Sequence, residues 1–263
     1  MDRKLGICAH CLHGVTEIDA LPLIKAAGFD STFIAAWQME PVTALKKRAD
    51  ELDLALESIH APFQQINEMW LAEEDPEIFH KMWQTIDSAG ENHIPVVVLH
   101  VSSGWTPAVT ERGLDRFDRL VAHAKEKGVV AAFENLRTTG ITAYFADRYY
   151  YHDEVGFCHD CGHEHCYTKT VCWPDIFTTK LCCTHIHDNY SRPLEDRTCN
   201  PDIHLLPFEG TYDYAQMMRK YDEYGYKGTL MLEVFQHRPE HQTLSHEEYL
   251  KTCYERLLKI SQM

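Results

Sequence analysis

The strongest constraint in this sequence is the position of its ionisable residues relative to its apolar runs. Eight short β-branched or apolar runs alternate with longer segments of helical spacing from end to end. Period-two and period-3.6 patterns in alternation identify strands and amphipathic helices. The runs predict strands over Lys4 to Cys8, Thr32 to Ala35, Leu54 to His60, Pro95 to His100, Val129 to Glu134, Val155 to Asp160, Leu181 to His187 and Thr229 to Val234. Between them, Leu114, Phe117, Leu120, Val121 and Ala124 illustrate the helical spacing. Several helix to strand junctions carry a glycine, at Gly28, Gly128 and Gly228, as expected of a helix end leading into a strand. Eight such repeats in 263 residues, with no flexible linker, predict a single-domain α/β protein over residues 1–263, a (β/α)₈ barrel.

Most of these runs end on a residue that can bind a metal. His60, His100, Glu134, Asp160, His185 with His187, and Glu233 close the third to eighth strands. In a (β/α)₈ barrel the C-terminal strand ends form one rim, where active sites are built. One buried Glu or His is ordinarily a satisfied core residue. Repetition at the same end of successive strands is different, because three carboxylates in one low-dielectric mouth need a compensating cation.

Charge and composition exclude several classes. With 25 Lys and Arg against 40 Asp and Glu, the formal charge is −15, which argues against a broad nucleic-acid-binding surface. No apolar run approaches the roughly 20 residues of a membrane helix, and the charged start does not read as a signal peptide, so the expectation is a cytoplasmic chain whose ten cysteines are reduced thiols. The stretch Cys158-His159-Asp160-Cys161 invites a structural zinc reading. A closed zinc site usually pairs two such knuckles, and Cys8-Ala9-His10-Cys11 belongs to the first strand, so that reading is weak.

The chain resembles the xylose isomerase-like superfamily of TIM barrels, which includes sugar isomerases, ketose 3-epimerases, inosose-processing enzymes and the abasic-site nuclease endonuclease IV. The resemblance spans nearly the whole chain and rests on Ile59-His60-Ala61-Pro62, Phe133-Glu134-Asn135, Asp160-Cys161-Gly162-His163, His185-Ile186-His187-Asp188-Asn189, Asp202-Ile203-His204 with Pro207 to Gly210, and Leu232-Glu233-Val234. It implies one divalent ion held by Glu134, Asp160, His185 and Glu233, with His185 chosen over His187 as the first His of an H-x-x-D pattern. Three oxygens and one imidazole favour Mn²⁺ or Mg²⁺, with Co²⁺ or Zn²⁺ as alternatives. Glu134 and Glu233 are the expected proton-transfer residues of an isomerase or epimerase working through an enediolate. His60, His100, His163 and Arg192 are expected to contact a small sugar or polyol, phosphorylated or not. A dehydratase acting on an inosose would begin with the same proton removal.

The nuclease is the alternative. It resembles the same mouth with three zinc ions, and candidates stand here at all nine ligand positions, adding His60, His100, His163, Asp202 and His204 to the four above. Asp202 and His204 would serve a second metal. A noncatalytic barrel that binds a partner protein is a third class. Trp37, Phe63 and Trp105 are candidate sugar-stacking aromatics, Arg192 and Arg197 candidate anion or hydroxyl ligands, and Arg137 to Tyr151 either a lid or a packed helix. A homo-oligomer is compatible with this sequence, which does not specify a stoichiometry.

Overall fold

The structure is a computed structural model that describes residues 3–193, 195, 196, 198 and 202–263. Arg197, together with Cys199 and Pro201, lies outside the described residues. The strands are β1 (Leu5–Cys8), β2 (Ser31–Ile34), β3 (Ala55–His60), β4 (Val96–Leu99), β5 (Val130–Glu134), β6 (Val155–Asp160), β7 (Leu181–His185) and β8 (Leu230–Leu232). Each lies within a residue or two of its predicted run. The helices are α1 (Glu17–Ala26), α2 (Met39–Glu51), α3 (Glu68–Leu71), α4 (Glu77–Glu91), α5 (Glu111–Lys127), α6 (Thr139–Arg148), α7 (Cys161–Tyr167), α8 (Trp173–Phe177), α9 (Tyr214–Glu223), α10 (Pro239–Gln242) and α11 (His246–Ser261).

All eight strands are joined by parallel pairing in the order β7-β6-β5-β4-β3-β2-β1-β8. The ring closes between β7 and β8 with few backbone bonds. There the amide of Ile186 donates to the carbonyl of Met231 at 2.8 Å, and that of Glu233 to Ile186 at 3.0 Å. The Thr184 hydroxyl assists by accepting from the Met231 amide at 3.1 Å and donating to the Thr229 carbonyl at 3.1 Å. The architecture is a nearly closed, single-domain TIM barrel.

Strand periodicity explains how the barrel builds its site. Val98, Ala132 and Cys158 form a small apolar cluster with Cys183 against it. Two residues further along the same strands stand His100, Glu134, Asp160 and His185. Because side chains on a strand alternate, a residue two beyond a lumen-facing one also faces the lumen, one layer higher. The intervening residues face the helices: Phe133 meets Phe117 of α5 and Phe145 of α6, and Phe157 stacks on Phe177 of α8 with ring centroids 4.7 Å apart.

The helices are held by ordinary end signals. Ser245 and Glu248 form a capping box at the start of α11. Gly128 closes α5 in the left-handed region at φ +68. The expected cap at Gly228 is corrected: α9 stops at Glu223, and the left-handed glycine is Gly225 at φ +70. Gly228 instead lets the chain pass the Tyr226 ring, whose hydroxyl would lie 2.5 Å from an added Cβ. The segment from Arg137 to Tyr151 resolves into α6, which buries Ile141, Thr142, Phe145 and Ala146. Among the described residues no helix is long and apolar enough to cross a membrane, and every cysteine is a free thiol.

Candidate metal centre

The ends of β5, β6, β7 and β8 deliver Glu134, Asp160, His185 and Glu233 to one point, where each offers a ligand atom within 4.8 Å of the others. Glu134 and Asp160 have no exposed surface, His185 is 1% exposed and Glu233 8%. His185 Nδ1 stands 3.5 Å from Glu134 Oε1 and 3.6 Å from Glu233 Oε2. The imidazole is seated by stacking on Phe33, with ring centroids 4.7 Å apart.

Three further groups adjoin this one, the first formed by His60 with His185 and Glu233. His60 and His100 meet Glu134 from β3 and from the residue after β4, and His163, His187, Asp202 and His204 gather on the other flank. All nine residues singled out as ligands in the sequence therefore converge. His187 was not counted among those nine, yet its Nε2 lies 3.1 Å from Asp160 Oδ1. The signal was present, since His187 is two residues beyond His185 and strand alternation puts both on one side.

Local structure orients these groups. Asn135 ties β5 to β6, accepting from the Asp160 amide at 2.8 Å and donating to the Asp160 carbonyl at 2.8 Å. Asp160 also caps α7, accepting from the His163 amide at 2.6 Å. Asp202 and His204 come from the long loop after β7, which Asp188 organises by accepting from the amides of Asn189, Phe208 and Tyr212. His204 sits at φ +45, a left-handed conformation uncommon for residues other than glycine and of the kind found at functional sites.

Proton positions bear directly on what the cluster can hold. His60 Nδ1 donates to the Ala61 carbonyl at 2.9 Å, His163 Nδ1 to that of Asn135 at 3.0 Å, and His204 Nδ1 to that of Glu233 at 2.9 Å. A carbonyl cannot donate, so in each ring Nδ1 carries the hydrogen. In the neutral imidazole that leaves an Nε2 lone pair, and these Nε2 atoms face carboxylates: Glu134 Oε2 at 3.4 Å for His60, Asp202 Oδ2 at 3.3 Å for His163 and Asp202 Oδ1 at 3.6 Å for His204. Lone pair facing lone pair is repulsive unless a proton or a cation lies between them. Backbone carbonyls that fix a tautomer in this way are the usual support of metal-binding histidines.

Electrostatics and unpaired atoms point the same way. Burial by itself raises Glu134, but the charges of His185 and His100, with the hydrogen bond from His100, hold it well below the usual carboxylate range. Burial likewise raises Glu233, while His185 and His204 bring it down to about 2. His185, which burial would lower, is raised to about 9 by Glu233 and Glu134. The carboxylates thus draw positive charge from the imidazoles. Glu134 Oε1, His185 Nδ1 and Asp202 Oδ1 are buried and make no hydrogen bond. A buried acceptor left unsatisfied costs about 1–3 kcal/mol, and one divalent ion would satisfy several at once. The donor set therefore fits a metal ion.

A cavity of about 160 Å³ opens above the cluster, lined by His60, His100, Glu134, His163, His204 and Glu233 among others. Phe63 lines it too, stacked on His100 with centroids 4.5 Å apart. Other expected contacts lie elsewhere. Arg192 and Trp105 line an adjoining cavity, and Trp37 lines neither. Arg192 follows the chain as it turns away from His187, and its guanidinium is placed over the Tyr167 ring, 5.2 Å from the centroid. Cys158 and Cys161 do not converge: the first is in the lumen cluster, and the second donates to the His187 carbonyl at 3.4 Å.

The fold has counterparts among known proteins. A xylose isomerase domain protein from Planctomyces limnophilus has a similar structure, with a TM-score of 0.77 at 15% identity over 99% of this chain and 97% of that one. D-psicose 3-epimerase from Clostridium cellulolyticum H10, solved with D-tagatose, gives 0.75 at 15% over 98% of each chain. The IolI protein, solved with a binding zinc atom, gives 0.75 at 18% over 98% of each. At these identities the likeness is one of fold. The uncharacterized protein y4fM of Sinorhizobium fredii (strain NBRC 101917 / NGR234) is 29% identical over 192 residues, with 68% of this chain and 58% of that protein covered. The chain thus spans under two thirds of the length of the curated relative it matches. Residues 21–253 match the family described as xylose isomerase-like TIM barrel, and the chain belongs to that family.

Proposed function

We propose that this protein is a divalent-metal-dependent isomerase or epimerase of a sugar, sugar phosphate or inosose. The observation that carries the reading is the convergence of Glu134, Asp160, His185 and Glu233 on one buried point, with Glu134 Oε1 and His185 Nδ1 left without a hydrogen bond. The likeness of fold to D-psicose 3-epimerase, to L-ribulose 3-epimerase and to the zinc-binding IolI protein supports it.

Those four residues would hold the cation. When bound, a divalent ion supplies positive charge beside a carbonyl and its neighbouring hydroxyl, which makes the adjacent carbon more acidic. Mn²⁺ or Mg²⁺ suits the three oxygens, and Co²⁺ or Zn²⁺ is accommodated by the imidazole. Glu134 and Glu233 both line the cavity and are carboxylates placed to accept a proton there. One takes the proton from carbon; the same or the other returns it to the neighbouring carbon or the opposite face. His60, His100 and His163 face the cavity as hydroxyl partners, and Phe63 packs against C–H groups.

A second reading rests on a specific observation. The nine expected ligands, with His187, fall into four adjoining groups, so that more than one ion could be held, in the manner of an endonuclease IV-like zinc phosphodiesterase. The net charge of −15 disfavours a DNA substrate. The test is solvent-deuterium incorporation by the Mn²⁺-loaded protein across ketoses, their phosphates and inososes, run beside cleavage of a duplex with an abasic site. Exchange into a sugar supports the first reading. Cleavage without exchange, with three zinc ions per chain in the protein as purified, replaces it by the second.

A further inference from the structure

Beside the cavity over the metal ligands lies a second one of about 630 Å³, and the two share Gly104 and Arg137 in their walls. Its lining has a distinct character. Arg137, Lys169 and Arg192 contribute three cations, several threonines line it, and among its described residues none is acidic. In a chain of net charge −15, such a concentration of positive charge is a local reversal of the surrounding field.

The cations are arranged around one ring. The Arg137 guanidinium lies 4.8 Å and that of Arg192 5.2 Å from the Tyr167 ring centroid. Lys169 Nζ donates to the Arg192 carbonyl at 3.1 Å, linking the third cation to the second. Stacking on an aromatic face fixes the plane of a guanidinium, a group whose charge and geometry suit a planar or tetrahedral anion. The Tyr167 hydroxyl donates to Asp202 Oδ2 at 3.2 Å, so one side chain touches both the cationic cavity and the metal-ligand cluster.

The start of α6 adds to this. Thr138, which precedes the helix, and Thr139, its first residue, line the same cavity. The Thr138 side chain caps no helix amide and the first turn carries no acidic residue, whereas α1, α2, α5 and α11 all have one there. An uncapped helix start presents amides and a positive dipole end.

We propose that this cavity binds an anionic end group, a phosphate monoester or a carboxylate, of a sugar whose carbonyl end lies over Glu134, Asp160, His185 and Glu233. The inference rests on the isomerase or epimerase reading for the sugar and on the cavity alone for the anion. It accounts for Arg192 standing away from the ligand cluster: it serves the far end of a longer substrate. Losing one charge-assisted hydrogen bond to the anion is expected to weaken binding about tenfold or more.

The test is calorimetric titration of the Mn²⁺-loaded protein with D-fructose, D-fructose 6-phosphate and D-glucuronate, repeated with Lys169→Ala/Arg192→Ala. The expected result is that one anionic sugar binds at least about tenfold more tightly than fructose, and that the double variant removes this preference with metal content and thermal midpoint unchanged. Preference for the phosphate identifies a phosphate pocket, and preference for glucuronate a carboxylate pocket. Equal affinity for all three, a preference surviving the double variant, or a preference confined to abasic-site DNA overturns the inference. The readout needs no turnover. Anion preference without deuterium exchange keeps the cavity and removes the isomerase reading, while exchange on neutral sugars without anion preference does the reverse.

Discussion

The ring of His187 lies flat on the ring of His204, with centroids 3.8 Å apart and planes 16° from parallel. The pair joins the end of β7 to the loop that follows it and closes one flank of the ligand cluster. Space for His187 comes from Gly162, where an added Cβ would stand 1.9 Å from the His187 ring.

Gly162→Ala is therefore expected to destabilise the protein. At an open helical position this change typically stabilises by about 1 kcal/mol. Forcing a methyl into a packed interior costs about 1–3 kcal/mol. A thermal midpoint at or above that of the parent would show that the His187 ring can move aside.

His185→Ala is expected to lower metal affinity by more than about a hundredfold, beyond the ~10–100-fold typical of residues that only orient a ligand. His187→Ala should leave an ion at Glu134, Asp160, His185 and Glu233. Elemental analysis after exhaustive dialysis checks both, and the opposite ranking would exchange the roles of the two histidines.

Glu233→Gln should leave the barrel folded and reduce deuterium incorporation by about 10²–10⁴-fold, the range for a positioned acid or base. Mass spectrometry of the recovered sugar checks this, with circular dichroism to confirm folding. Undiminished exchange would remove Glu233 from the chemistry.

A pH effect is expected far from the site. Arg116 is 2% exposed and donates to the carbonyls of Met69 at 2.8 Å and Ala72 at 3.0 Å and to Asp75 at 3.2 Å. The Arg119 hydrogen bond, with Arg116 beside it, holds Asp75 below its usual value despite some desolvation. A carboxyl lowered on folding stabilises above its unfolded pKa, about 3.9, and loses that contribution as the pH falls through the folded value. Asp75→Asn should lower stability at pH 7 by about 1 kcal/mol and by less near pH 2, where the carboxyl begins to protonate in the folded protein too. Urea midpoints at the two pH values check this, and an equal loss at both would assign Asp75 a role unrelated to charge.

Much of the barrel was legible because its strands are short apolar runs with little else they could form. The metal-ligand candidates on those strands were legible for the same reason, since strand alternation places Glu134 above Ala132 and Asp160 above Cys158. Asp202 and His204 were different. They stand in a loop without periodicity, held by Asp188 and by Gly210, where an added Cβ would lie 2.3 Å from the Asn189 carbonyl, and only the family resemblance pointed to them. Arg192 is in that loop too, and nothing in a linear pattern reveals that the chain turns there toward Tyr167. The helix end expected at Gly228 fell at Gly225, because either glycine satisfies the same local signal and the packing of Tyr226 decides between them.

The sparse closure between β7 and β8 gives the ligand cluster a mechanical role. His185 and Glu233 sit on opposite lips of that join, so an ion seated between them would act as a rivet across the weakest line of the barrel wall. Chelation should then speed amide exchange first at Ile186, Met231 and Glu233, leaving the opposite wall around β3 and β4 protected, so that the reactive centre and the fastening of the cylinder would be one object.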